Sequence, residues 1–194
     1  YGRVGGRGRS LGRSESADFA RLEPLKLVAQ TSDRDPPHSD LYNSAALKYA
    51  HAPNVYLMFP SLFQHGPDTL DIRLAVSRDG IRWSRPDRKT AFIALGKGNV
   101  FDSGSLYMGQ GMIRVGDELW LYYSGSPLRH QGAELENLTK PENARVYSRV
   151  VARLDRFVAA TAGPKGGSFT SPPLRFAGNR LHLNVRVRSG GRMR

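Results

Sequence analysis

Apolar residues along the chain come in short runs or strict alternation, and nowhere with the three-to-four spacing of an amphipathic helix. Residues 55–59 (Val-Tyr-Leu-Met-Phe) form one apolar run that ends at Pro60, and 119–123 (Leu-Trp-Leu-Tyr-Tyr) form another that ends at Ser124-Gly125. Shorter candidate strands cover 72–77 and 91–95. Leu181, Leu183, Val185 and Val187 alternate with polar residues, the period of a half-buried strand. Gly, Pro, Asp and Asn separate these segments, as they do between the hairpins of an all-β protein. Residues 133–145 carry no strand pattern, and Pro141 opposes a long helix there, so an excursion loop is expected.

Internal repetition organises the runs. Ser16-x-Asp18 followed by Leu22 aligns with Ser77-x-Asp79 followed by Trp83, an offset of 77 − 16 = 61. A weaker copy holds Asp155 and Phe157. Asp40-Leu41-Tyr42-Asn43 and the run at Tyr56 align with Asp102-Ser103-Gly104-Ser105 and the run at Trp120, at offsets of 62 and 64. Each unit then reads as an Asp-led inner strand, an apolar second strand, a third strand, a Ser-x-Asp turn and a short outer strand. Four strands per unit of that size describe a propeller blade. In the turn, Asp accepts backbone amides and Gly80 permits positive φ.

Composition narrows the function classes. The 194 residues contain no cysteine, which removes disulfide scaffolds, thiolate metal sites and a cysteine nucleophile. Twenty-nine Lys and Arg against 17 Asp and Glu give a net charge of +12. The cations cluster at the two ends (Arg3, Arg7, Arg9, Arg13; Arg186, Arg188, Arg192, Arg194), while the aromatics sit in apolar strand patterns rather than among them. That separation predicts an Arg-rich solvated surface and no nucleic-acid partner. The five histidines lack metal-ligand spacing, and Gly-Pro-Lys-Gly-Gly-Ser at 163–168 lacks the order of a phosphate loop, so neither metal nor cofactor is expected. Asn137-Leu-Thr matches a glycosylation acceptor. No apolar run is long enough to predict a membrane partner.

The stretches GRSESADF, DLYNSAALKY with VYLMFPSLF, LAVSRDGIRWSRP, FDSGSLYMGQGMIRVGDELWLYYSGS and VARLDRFVAATAG resemble the five-bladed propeller glycosidases of the invertase/levanase and arabinanase/xylosidase group. They look closest to uncharacterised bacterial members and cover roughly residues 9–163. The resemblance implies a partial β-propeller of two to three four-stranded blades over 1–163. GGSFTSPPLRFAGNRLHLNV implies the start of a C-terminal β-sandwich over 164–194. A closed ring of five such units needs roughly 300 residues, so the chain reads as a fragment.

The same resemblance implies a carbohydrate substrate and a glycoside hydrolase. Hydrolysis needs one carboxyl as acid and another as nucleophile or base, flanking the scissile bond. By their inner-strand positions these are Asp40 and Asp102; each could equally cap its own turn. Arg34-Asp35-Pro36 reproduces the Arg-Asp-Pro triplet of the invertases, where the Asp stabilises the transition state. The invertase acid lies in a Glu-Cys-Pro motif absent here; Glu134 and Glu136 are the nearby glutamates. Tyr42, with Asn43 and His130, completes the expected substrate-binding set, and Tyr107, Trp120 and Tyr123 divide between sugar stacking and core. A propeller that keeps the scaffold and only binds glycan or protein is the alternative.

Overall fold

A computed structural model describes residues 1–98, 100–131, 144–173, 175 and 177–193. The described residues are all-β: fourteen strands and no helix. They form three sheets, none of them closed into a barrel.

The first sheet is β1 (Gly2–Gly6), β2 (Gly8–Arg13) and β3 (Lys26–Ala29), paired antiparallel in that order. The Gly-rich start gives no periodic signal and was not expected to be a hairpin. Its strand character comes from Ser10 and Leu11, both buried against the next unit.

Residues 39–84 form the four-strand unit that the repeat predicts. Its segments are β4 (Ser39–Leu41) with β5 (Leu47–Lys48), β6 (Tyr56–Met58) with β7 (Ser61–Gln64), β8 (Thr69–Ile72) with β9 (Ala75–Ser77), and the short outer β10 (Trp83–Ser84). The apolar run does not stop at Pro60. It bends there and continues as β7, while the third strand breaks at Arg73 and Leu74. Proline lacks the amide that would extend the ladder, and its carbonyl accepts the Arg73 amide at 2.8 Å across the bend. A crease therefore divides the unit into an inner half, β4-β7-β8, and an outer half, β5-β6-β9-β10.

The next unit comprises β11 (Ser105–Met108), β12 (Ile113–Val115), β13 (Glu118–Ser126) and β14 (Val146–Arg153). β13 pairs antiparallel with all three others. β11 joins the preceding inner half through one parallel pairing, Ser105 with Leu70. The main core lies between the units and is built on Leu57, Phe59, Ile72, Leu106, Leu119 and Leu121, all at most 2% exposed. Each such side chain stabilises the fold by about 1.5–3 kcal/mol.

Two expected strands do not form. Residues 91–95 contribute only a bridge between Ile93 and Ile72. Leu181, Leu183, Val185 and Val187 are exposed and unpaired in the segment that follows residue 158. Alternation supplies one apolar face, but a strand also needs a ladder partner, and none of the described residues supplies it. The chain turns just after this segment, where Gly191 donates to the Arg188 carbonyl and Gly190 has φ 75°.

Candidate functional site

β2 and β4 lie side by side, and this brings Arg9 onto Asp40. Asp40 stands in the middle of β4, opposite Phe63 of β7, and is 5% exposed. Its Oδ2 accepts from Arg9 Nη1 at 3.0 Å and pairs with His65 Nε2 at 2.9 Å. The chain can pass over the other oxygen, Oδ1, only because residue 8 is glycine. Gly8 has φ 70°, and a Cβ there would overlap that oxygen.

A cleft of ≈ 780 Å³ opens beside Asp40, lined also by Asp35, His38, His65, Ser39 and Arg7. Asp35 is buried in its wall and clamped by arginines. Arg85 donates to both carboxyl oxygens at 2.6 and 2.5 Å, Arg88 adds a bond at 3.0 Å, and the Ser32 amide adds another at 2.8 Å. Burial alone would raise the Asp35 carboxyl, but these hydrogen bonds and the two guanidinium charges hold it below its ordinary value. Asp35 is thus a fixed negative charge with its lone pairs occupied.

Beside Asp40 lies an aromatic group that includes its ladder partner Phe63. Tyr42 meets Phe63, Tyr107 and His130 edge to face, with ring centroids 6.0, 6.1 and 4.9 Å apart. Phe63 in turn touches His65 at 4.4 Å. Tyr107 Oη and His130 Nδ1 share a hydrogen bond at 3.0 Å, and burial pushes the Tyr107 hydroxyl up to about 12. Arg9 lies 5.2 Å from the Tyr42 ring, Arg3 lies 5.8 Å from it, and Arg145 lies 5.0 Å from Tyr107.

Of the residues expected from sequence, Asp40, Tyr42 and His130 come together here, and Asp35 lines the adjoining cleft. Asn43 does not face the cleft: its amide oxygen accepts from the Ser61 amide and its nitrogen donates to the Met108 carbonyl, which ties β11 to the preceding unit. Arg34 is exposed and pairs with no carboxylate among the described residues.

The structure does not bring Asp102 to Asp40. Asp102 precedes β11 and accepts from Tyr123 Oη at 3.1 Å. It lies against Gly125, which pairs with Leu106. Tyr107 points from the opposite face of that sheet toward Tyr42. β4 and β11 are also three strand spacings apart, roughly 14 Å. Trp120 lies under Arg149 and Tyr123 in the core, apart from this group. Glu134, Glu136 and the Asn137-Leu-Thr motif lie outside the described residues.

Arg9, His65, Arg85 and Arg88 were not foreseen. His65 carried a signal, because it directly follows β7 with the parity of Phe63. The arginines carried none, since each arrives from a distant segment. Among the described residues no cluster of His, Asp and Glu could hold a metal ion, and no helix is long and apolar enough to cross a membrane.

No family model matches the chain, and no curated protein matches it. Among solved structures, a chain named "Glycoside hydrolase" is similar over 82% of this chain and 40% of its own, with 16% sequence identity and a TM-score of 0.49. This chain therefore spans less than half of that neighbour.

Proposed function

We propose that the chain is a carbohydrate-active, glycoside hydrolase-like protein. In this reading residues 1–163 are part of a five-bladed propeller, with 39–84 as one blade and 105–153 as most of the next. Residues from 164 then begin a β-sandwich. The observation that carries the functional reading is Asp40: a buried carboxylate at the edge of a cleft, oriented through one oxygen by Arg9 and His65 and paired across the ladder with Phe63 of an aromatic group. Arg9 and His65 fix the direction of this carboxylate beside the cleft, and a nucleophile or base in glycoside hydrolysis must be so fixed. His65, hydrogen-bonded to the same carboxylate, is placed to relay a proton.

The placement of Asp102 favours a second reading, glycan binding without hydrolysis. Glycosidase carboxyls stand roughly 5–10 Å apart, and Asp102 is bonded to Tyr123 on the other face of its sheet. The test is hydrolysis of aryl glycosides and oligosaccharides by the chain, by Asp40→Asn and by Asp102→Asn, with binding followed by calorimetry. Turnover abolished by Asp40→Asn with binding retained supports the hydrolase. Turnover lost equally in Asp102→Asn makes it the second carboxyl. Binding without turnover establishes the alternative, and neither binding nor turnover overturns both.

A further inference from the structure

The carboxylates along the cleft are each matched by arginine: Asp40 by Arg9, Asp33 by Arg7, and Asp35 by Arg85 and Arg88. Two guanidiniums over the neighbouring aromatic group have no such match among the described residues. Arg3, on the exposed edge of β1, lies over Tyr42, and Arg145, leading into β14, lies over Tyr107. Neither pairs with a carboxylate among the described residues; Arg145 bonds only the Ser124 hydroxyl, at 3.3 Å. Among the described residues the aromatic group thus carries two positive charges with no carboxylate partner, each lying over a ring.

We infer that this site takes an anionic saccharide, one bearing carboxylate or sulfate groups, with Arg3 and Arg145 as the specificity-determining contacts. The inference rests on the carbohydrate reading above and names its substrate class. A guanidinium packed on an aromatic ring is pre-oriented, and its outward N–H groups match the paired oxygens of a carboxylate or sulfate. A neutral sugar would gain nothing from these charges and would find the Tyr42 and Tyr107 faces already covered. The same covering argues against single-stranded nucleic acid, which needs free ring faces for its bases.

The test is calorimetric titration of the full chain with an oligogalacturonate, its methyl ester, a sulfated galactan oligosaccharide, its desulfated form and an oligonucleotide of equal charge. The acidic or the sulfated sugar should bind about tenfold or more tighter than its neutral counterpart, with an advantage that shrinks as salt rises. Which of the two wins identifies the anionic group. Arg3→Ala and Arg145→Ala should each weaken the anionic sugar and so remove about three- to tenfold of that advantage, and Arg145→Lys should restore part of it. Both side chains are exposed, so neither variant threatens the fold. Equal binding of charged and neutral sugars overturns the inference and leaves the carbohydrate reading standing. Binding of no sugar overturns both, and tighter binding of the oligonucleotide replaces the saccharide with nucleic acid.

Discussion

Phe19 and Gly80 occupy the same point of two turns 80 − 19 = 61 residues apart, with φ 61° and 72°. The hydrogen bonds around them coincide as well. Ser16 Oγ accepts the Phe19 amide and Ser77 Oγ the Gly80 amide, both at 2.9 Å, while Asp18 and Asp79 each accept the amide two residues on, also at 2.9 Å. The repeat read from sequence is therefore a repeat of atomic bonding. The third copy departs from it: Asp155 itself takes φ 60° and accepts from Tyr49 instead.

One of the two turns carries the wrong residue for its backbone. Phe19 is 91% exposed, so its ring contributes almost no burial while its left-handed conformation costs roughly 1 kcal/mol. Phe19→Gly should raise stability by up to about that amount, less the entropy glycine adds to the unfolded chain. A denaturant midpoint that falls would show that the ring is held by contacts.

Gly8 makes the opposite prediction. Gly8→Ala places a methyl on the Asp40 carboxylate at a positive φ. It should cost about 2 kcal/mol or more and displace Asp40 from Arg9. In the Asp40→Ala background the same substitution should cost clearly less, a coupling that a double-mutant cycle in urea measures.

The Asp35 clamp sets an acid limit. Arg85→Ala leaves a buried carboxylate short of its bidentate partner and should destabilise by about 3–5 kcal/mol. Because the folded Asp35 carboxyl lies below its unfolded value, its stabilisation is complete above about pH 4 and fades as pH falls through the folded value. The stability gap between the chain and Asp35→Asn, followed in urea from pH 6 downward, should narrow on acidification. A gap constant with pH would assign the effect to packing.

An alkaline counterpart exists at Tyr49. Burial and the Asp155 hydrogen bond push its hydroxyl up to about 12. Its contribution is present below about pH 10 and lost as pH rises toward the folded value. Tyr49→Phe should cost about 1 kcal/mol at neutral pH, with the difference vanishing in strong alkali.

The four-strand unit was legible because its apolar runs and punctuation are local. The crease was not: Pro60 reads as a strand end when one segment is viewed alone, and only the neighbouring break at Arg73 makes it a bend. The β1–β2 hairpin escaped because glycine has neither pattern nor propensity, and its buried Leu11 is a single residue. In the site, Asp40, Tyr42 and His130 could be named from their positions beside apolar strands. Arg9 and the Arg85–Asp35 clamp could not, since pairing over 31 and 50 positions leaves no local trace. At Asp102 the matched sequence position faces a different neighbour, Tyr123.

The crease at Pro60 and Arg73 also divides the candidate site from the outer turn. Asp40, Phe63 and His65 lie on one side of it, and the Ser77–Asp79 turn lies on the other. Side chains around the cleft can therefore be exchanged without touching the bonds that fix the outer turn. A lineage built on this unit could change its ligand while keeping its scaffold, and libraries confined to the inner half are the place to look for new specificities.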